Sequence, residues 1–336
     1  MKKTFLLALA LAATVPAPVH AASWIPDHIV IVIEENLSPR HIVPELPYLT
    51  ALLRENAYFT NSHGVDHPSQ PNYLALFSGS TQGTGSNRNP DGSNLFVGGR
   101  TVVGTDAPVK GTPLTTPNLG AALIRAGRSF VGYSEDLPRQ GFIGNAFVGP
   151  PGSGIDYQRK HNPWVNWQAL RDEAIGENQL SSQTNLPFDA FPTDEDGFAR
   201  LPTIAIVVPN EINDGHGSAA AAAGTNVVKA MDDWLRAHIE AYRKWAMRHN
   251  SLLIITWDED ENEYIPIKDA SGRLVAKQYL NLIPTIMAGE RVIPGAYGER
   301  IDHYAVLHTL ENFYGIAPFT QADVKAPIIA DAFRLK

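Results

Sequence analysis

Residues 28–36 read HIVIVIEEN. The first six, His28 to Ile33, form a short apolar run rich in β-branched residues, and two glutamates follow at once. A strand covered on both faces needs apolar side chains on both, so this run predicts a buried strand ending in a polar turn. Thr203–Val208 (TIAIVV) and Ser251–Trp257 (SLLIITW) have the same character. Asn281–Ala288 (NLIPTIMA) reads as a possible fourth strand, weakened by Pro284, which has no N–H for a ladder. Between the second and third strands lies a long amphipathic segment, Asn226–His249, which Thr225 or Asn226 can cap and Asn250 can end. Strand, helix and strand in that order predict an α/β fold with a mostly parallel sheet and crossover helices. Tyr48–Asn56 and His303–Tyr314 read as further helices, the second ending at Gly315.

Open α/β sheets bind ligands at the carboxyl ends of their strands, so the residues just past each strand are informative. Glu34-Glu35-Asn36 comes after the first. Pro209-Asn210, leading into Asn213-Asp214-Gly215-His216-Gly217, comes after the second, and Asp258-Glu259-Asp260-Glu261 after the third. Carboxylates drawn to one edge from distant parts of the chain repel one another unless a cation neutralises them. Hard oxygen donors suit one divalent ion, with calcium, magnesium, manganese and zinc all compatible. The alternative is that each acid is a solvated loop residue.

A second signal is HPSQPNY at 67–73, followed by LALF. Ser69 can cap a helix that starts near Pro71. It can also be a nucleophile at that helix's N-terminus, where the dipole and free N–H groups favour a phosphate. Asn72, one turn on, can offer its amide to a phosphate oxygen. His161 lies in a polar loop and His216 between glycines, and either can protonate a leaving-group oxygen. His238, His249 and His308 fall in helical segments and read as structural.

The first 21 residues read as a secretory signal. Lys2 and Lys3 open it, an apolar run from Phe5 to Val15 follows, and Val19-His20-Ala21 fits a cleavage site. Residues 22–336 then form a single catalytic domain, exported to the periplasm or the medium. No other stretch approaches the length of a bilayer span, so no transmembrane segment is expected. The chain has no cysteine, and its stability must rest on a packed core. Its net charge is −8, and without Lys2 and Lys3 it is −10, with 25 basic against 35 acidic residues. That balance excludes a basic groove for nucleic acid. Positive charge for a phosphate ester must therefore be local, and a metal ion is its natural source. The stretches 79–117 and 141–163 are rich in Gly, Pro, Ser and Asn, and loops of that length are usually functional or mobile.

Six motifs occur in order: Glu35-Asn36, HPSQPNYLALFSGS at 67–80, GYSEDLP at 132–138, KHNPWVNW at 160–167, VPNEINDGHG at 208–217 and TWDEDE at 256–261. Together they resemble the bacterial phosphoesterase family of secreted acid phosphatases and phospholipases C, and among these its short acid phosphatases. The resemblance implies an alkaline-phosphatase-like three-layer α/β/α sandwich. It implies that Glu35, Asn36, Asp258 and Glu259 hold a divalent metal, with Ser69 beside it as nucleophile and metal ligand. It also implies that His161 and His216 flank the phosphate. Many relatives follow the third strand with Asp-Glu-His-Gly-Gly; here Asp258-Glu259-Asp260-Glu261-Asn262 stands instead, which favours one metal over two. The expected function is an exported, metal-dependent acid phosphatase working through a phosphoserine. Its substrate is a small phosphate monoester or a phosphoinositide or phospholipid headgroup. A phospholipase C and a non-catalytic phosphate- or metal-binding protein are the alternatives; oligomeric state is open.

Overall fold

The computed structural model describes residues 24–42, 44–86, 96–97, 100–101, 104–261 and 263–334. The expected signal at 1–21 lies outside them.

The predicted buried runs are the centre of one sheet. Strands β1 (His28–Glu34), β2 (Ala57–Phe59), β3 (Phe130–Ser134), β4 (Asn185–Pro187), β5 (Ile204–Val208), β6 (Ser251–Trp257), β7 (Thr285–Gly289) and β8 (Gly295–Tyr297) make eight strands in the order β8-β2-β7-β6-β1-β5-β3-β4. The block β6-β1-β5-β3-β4 is parallel throughout. β7 runs antiparallel to β6, β2 antiparallel to β7, and β8 parallel to β2. The sheet is mixed and mostly parallel.

Successive side chains of β1 serve opposite layers, as strand geometry requires. Ile29, Ile31 and Ile33 join one core with residues of α2 (Gln70–Ser78), α3 (Leu119–Arg125) and α6 (His303–Tyr314). Val30 and Val32 join the other with residues of α1 (Pro47–Glu55), α4 (Val227–His238) and α5 (Glu240–Ala246). These are the three layers of an α/β/α sandwich.

Two expectations are corrected in detail. The segment 226–249 is not one helix: Asn226 caps α4 by accepting from the Lys229 N–H, and α4 and α5 meet at Ile239. Asn281–Ala288 is not one strand either. Pro284 separates a two-residue strand, Leu282–Ile283, that pairs with Ser62–His63 from β7, which enters the main sheet. α6 runs from His303 to Tyr314 as expected, closed by Gly315 at φ 65°, a conformation only glycine adopts without strain. Among the described residues no helix is long and apolar enough to cross a membrane.

Candidate active site

The register of the parallel block brings the three acidic strand ends together. Glu34 of β1 lies opposite Trp257 of β6, so Glu35 and Asp258 follow side by side. The turn is closed by backbone bonds: Asp258 N–H donates to Glu34 O at 3.0 Å, Glu35 N–H to Asp214 O at 2.8 Å, and Leu37 N–H to Glu259 O at 3.3 Å. Asn36 takes a left-handed φ of 48°, which Asn tolerates. It points its own N–H at Asp258 Oδ1 (3.1 Å) and its amide at Glu35 Oε2 (3.3 Å).

Ser69 reaches the same carboxylate. It stands at the start of α2 with helical dihedrals and does not cap the helix with its side chain. Its Oγ donates to Glu35 Oε2 at 3.0 Å instead. Tyr73, one turn on, donates its hydroxyl to Glu35 Oε1 at 2.8 Å. Asn72 Oδ1 accepts the N–H groups of Val65 and Asp66, and its Nδ2 donates to Asp66 O and Pro68 O. These bonds shape the loop that presents Ser69.

His161 lies on a 3-10 turn, Arg159–His161, with its ring stacked on Tyr73 at 5.0 Å between centroids. Its Nε2 is 2.9 Å from Glu35 Oε1, and its Nδ1 is 3.4 Å from Asp214 Oδ2 and 3.5 Å from Glu211 Oε1. His216 sits between Gly215 (φ 99°) and Gly217 (φ 93°). A side chain at 215 would collide with Met231. His216 points Nδ1 at Glu211 Oε2, 2.8 Å away, and keeps a third of its side-chain surface exposed. Lys160 Nζ faces Asp106 Oδ2 at 3.4 Å and Glu211 Oε1 at 3.6 Å. Sequence reasoning assigns no role to His67, Tyr73, Lys160 or Glu211, although each stands inside a quoted motif. Tyr73 can be found from its spacing of four from Ser69, which puts both on one helix face.

The electrostatics follow from this crowding. Burial pushes the Glu35 carboxyl up, but His161, Lys160 and His216 outweigh it and hold it well below the usual range. Burial lowers His161, yet Glu35 and Glu211 raise it to about 10. Glu211, hydrogen-bonded to its Nδ1, is the main reason His216 rises to about 9. Burial and then Glu35 and Glu259 push Asp258 well up. Burial also raises Asp214 to about 7, against the pull of His161. Glu259 turns to His67, whose Nδ1 is 2.5 Å from its Oε2, and burial still lifts it to about 7.

The carboxylates therefore outnumber the basic groups that face them. Asp258 Oδ1 accepts from Asn36 and Glu259 N–H, but its buried Oδ2 meets no donor among the described residues, and neither oxygen of Glu34 does. Hard oxygen donors with unanswered charge are what a divalent cation needs. Glu35, Asp258 and Ser69 Oγ are the donors of this kind at the strand ends, beside Asn36 and Glu259. Among the described residues the group of His, Asp and Glu side chains whose ligand atoms all lie within 4.8 Å of one another is His41, Glu261 and Glu263, nearer the surface.

The profile of the Phosphoesterase family matches residues 43–317. The phosphatidylinositol-3-phosphatase of Mycobacterium tuberculosis is 38% identical over 315 residues, covering 93% of this chain and 85% of that one. The phosphate-repressible acid phosphatase of Penicillium chrysogenum is 25% identical over 285 residues, and the match spans 84% of this chain but 57% of that protein. A crystal structure of an alkaline phosphatase superfamily protein from Vibrio parahaemolyticus superposes with a TM-score of 0.54 at 13% identity, over 94% of this chain and 74% of that one. That likeness is one of fold.

Proposed function

This chain belongs to the Phosphoesterase family and hydrolyses phosphate esters, and we propose that it is an exported, metal-dependent acid phosphatase that cleaves phosphate monoesters through a phosphoserine at Ser69. One observation carries the reading. Ser69 is freed from capping and holds its hydroxyl 3.0 Å from Glu35, in a cluster that also contains Asp258 and two histidines whose carboxylate neighbours raise their pKa. The relatives named as phosphatases support a monoester substrate, and the phosphoinositide phosphatase among them makes an inositol lipid headgroup one such ester.

Glu35, Asp258 and Ser69 would hold the cation in this reading, and it would supply Lewis acidity that lowers the cost of ionising the serine hydroxyl near neutral pH. Glu35 accepts the Ser69 O–H and orients Oγ for in-line attack; the hydroxyl proton passes to solvent as the alkoxide forms, and a new Oγ–P bond forms as the ester P–O bond breaks. The leaving alcohol takes a proton from His216, whose Nε2 is not the nitrogen turned to Glu211 and whose ring reaches solvent. His161 is fully buried between Glu35, Glu211 and Asp214 and keeps Glu35 ionised rather than meeting the alcohol. Water then attacks the phosphoserine, gives its proton to His216, and restores Ser69. Lys160 provides local positive charge that an acidic chain otherwise lacks.

The test is hydrolysis of p-nitrophenyl phosphate against bis-p-nitrophenyl phosphate between acid and mildly alkaline pH, with and without chelator. Chelator-sensitive turnover of the monoester is expected. Turnover of the diester alone supports the phospholipase C reading, and silence on both leaves a binding protein.

A further inference from the structure

We propose that a cleft on the α4–α5 face of the sheet binds an organic cation, an ammonium group carrying an apolar body. The site is separate from Ser69, which opens α2 on the other face, and it does not depend on the reaction proposed above. The GYSEDLP motif at 132–138 supplies much of it, and no side chain of that motif has a part in the mechanism. β3 ends at Ser134, so Glu135 and Asp136 stand just past it. The 3-10 turn Phe188–Ala190 follows β4, the strand beside β3, and α4 and α5 close the third side. Together they frame a volume of about 580 Å³. Small-ligand sites ordinarily span roughly 300–1,000 Å³.

The wall of the cleft is aromatic and its charge is negative. Phe188 and Phe191 stack at 5.5 Å between centroids, and the His238 ring meets Phe188 edge-on at 5.5 Å. Burial lowers the His238 pKa, so this ring stays neutral at physiological pH and brings no positive charge. Glu135, Asp136 and Asp189 line the same space. Among the described residues none of the three has an ion-pair partner. Burial, and Asp136 beside it, push the Glu135 pKa up, as expected of negative charge with no cation to answer it. Two of the acids are fixed before any ligand arrives. Glu135 accepts from Asn210 N–H (2.9 Å), Asn213 Nδ2 (3.0 Å) and Trp234 Nε1 (3.1 Å). Asp136, at a left-handed φ of 57°, accepts from Asn210 Nδ2 (2.6 Å) and Asp156 N–H (2.9 Å). Carboxylates held in this way lose little freedom on binding. Their oxygens do not converge with those of Asp189 to within 4.8 Å, so a bare metal ion is a poor occupant. An anion is repelled by all three. A cation is attracted by both the acids and the aromatic faces, and an apolar body gains from Phe188 and Phe191. An ammonium group on an apolar body uses both halves of the lining.

The experiment is calorimetric titration of the protein with benzylammonium and with benzyl alcohol, its neutral counterpart, near neutral pH and at low salt. Benzylammonium should bind the wild type more tightly, and added salt should narrow the gap. Asp136→Asn keeps a residue type that tolerates the left-handed turn. It should weaken benzylammonium roughly fivefold and leave benzyl alcohol unmoved. Asp189 is exposed, so Asp189→Asn tests the charge without risk to the core, and it should act in the same direction more weakly. Phe188→Ala should weaken both ligands. Failure of benzylammonium to bind, equal affinity for the two ligands, or a preference unchanged in both Asp variants overturns the proposal. So does a Phe188→Ala protein that binds both ligands as the wild type does.

Discussion

Two groups of acids are buried in this molecule, and they are kept by different means. At the strand ends Glu35, Asp214 and Asp258 are wholly buried and share their space with His161, His216 and Lys160. At the junction of α6 with α7 (Gln321–Lys325), Glu311 and Asp323 are also wholly buried, but the group facing Glu311 is another acid. Asp323 is used by the capping box of α7, with Thr320 N–H and Phe319 N–H donating to it. Burial and then Asp323 push Glu311 up to about 9, so it is a neutral acid at physiological pH. Glu35 is held ionised. Burial alone therefore does not mark a functional acid; Glu35 differs from Glu311 in the basic groups placed to keep it charged.

The sharpest way to break this contrast is to remove a cation from the site. His161→Asn leaves Glu35 without its nearest positive partner. It should cut turnover roughly a hundredfold and lower stability by about 3 kcal/mol, the cost of stranding a buried charge; steady-state rates and thermal melts check both. Supplying a cation should do the reverse. A divalent ion at a hundred times its dissociation constant should stabilise the wild type by about 2.7 kcal/mol. It should stabilise Asp258→Asn far less, and an equal shift in both proteins would remove Asp258 from the ligand set.

The helix junction predicts a smaller effect with a defined sign. Glu311 carries a raised folded pKa, so its contribution is present below about 4.5 and is lost as pH rises toward about 9. Glu311→Gln should match the wild type in melting temperature near pH 5 and exceed it near pH 8. A third acid gives the smallest change. Burial opposes it, but Arg243, Tyr48 and Lys244 hold the half-buried Glu240 down at about 2. Its contribution is present above about 4.5 and lost as pH falls through about 2. Such a pair is screened by solvent, so Glu240→Gln should cost under about 1 kcal/mol at neutral pH by denaturant titration.

Much of the site is legible in the sequence because its parts are local signals. Runs of β-branched residues mark β1, β5 and β6, and a parallel sheet places the residues after them at one edge. Glu35, Asp258 and Asp214 can therefore be read together. Ser69 is legible as the start of a helix, but that its hydroxyl leaves the cap and turns to Glu35 is seen only in the structure. Partners that come from far along the chain are not legible. His67 reaches Glu259 and Asp260, and Glu211 reaches His161, through contacts no spacing rule encodes. The bonds of Asn72 to the loop before Ser69 are likewise visible only in the structure. The break at Ile239 escapes because amphipathic periodicity carries through it.

The most direct test is to mix the protein with excess p-nitrophenyl phosphate, quench in acid within one turnover, and map the peptides by mass spectrometry. The predicted result is a phosphoryl group on the peptide containing Ser69. It should be absent from Ser69→Ala, which should have lost turnover by roughly a thousandfold or more. Full turnover by Ser69→Ala, or a phosphoryl group trapped on another residue, would contradict the account.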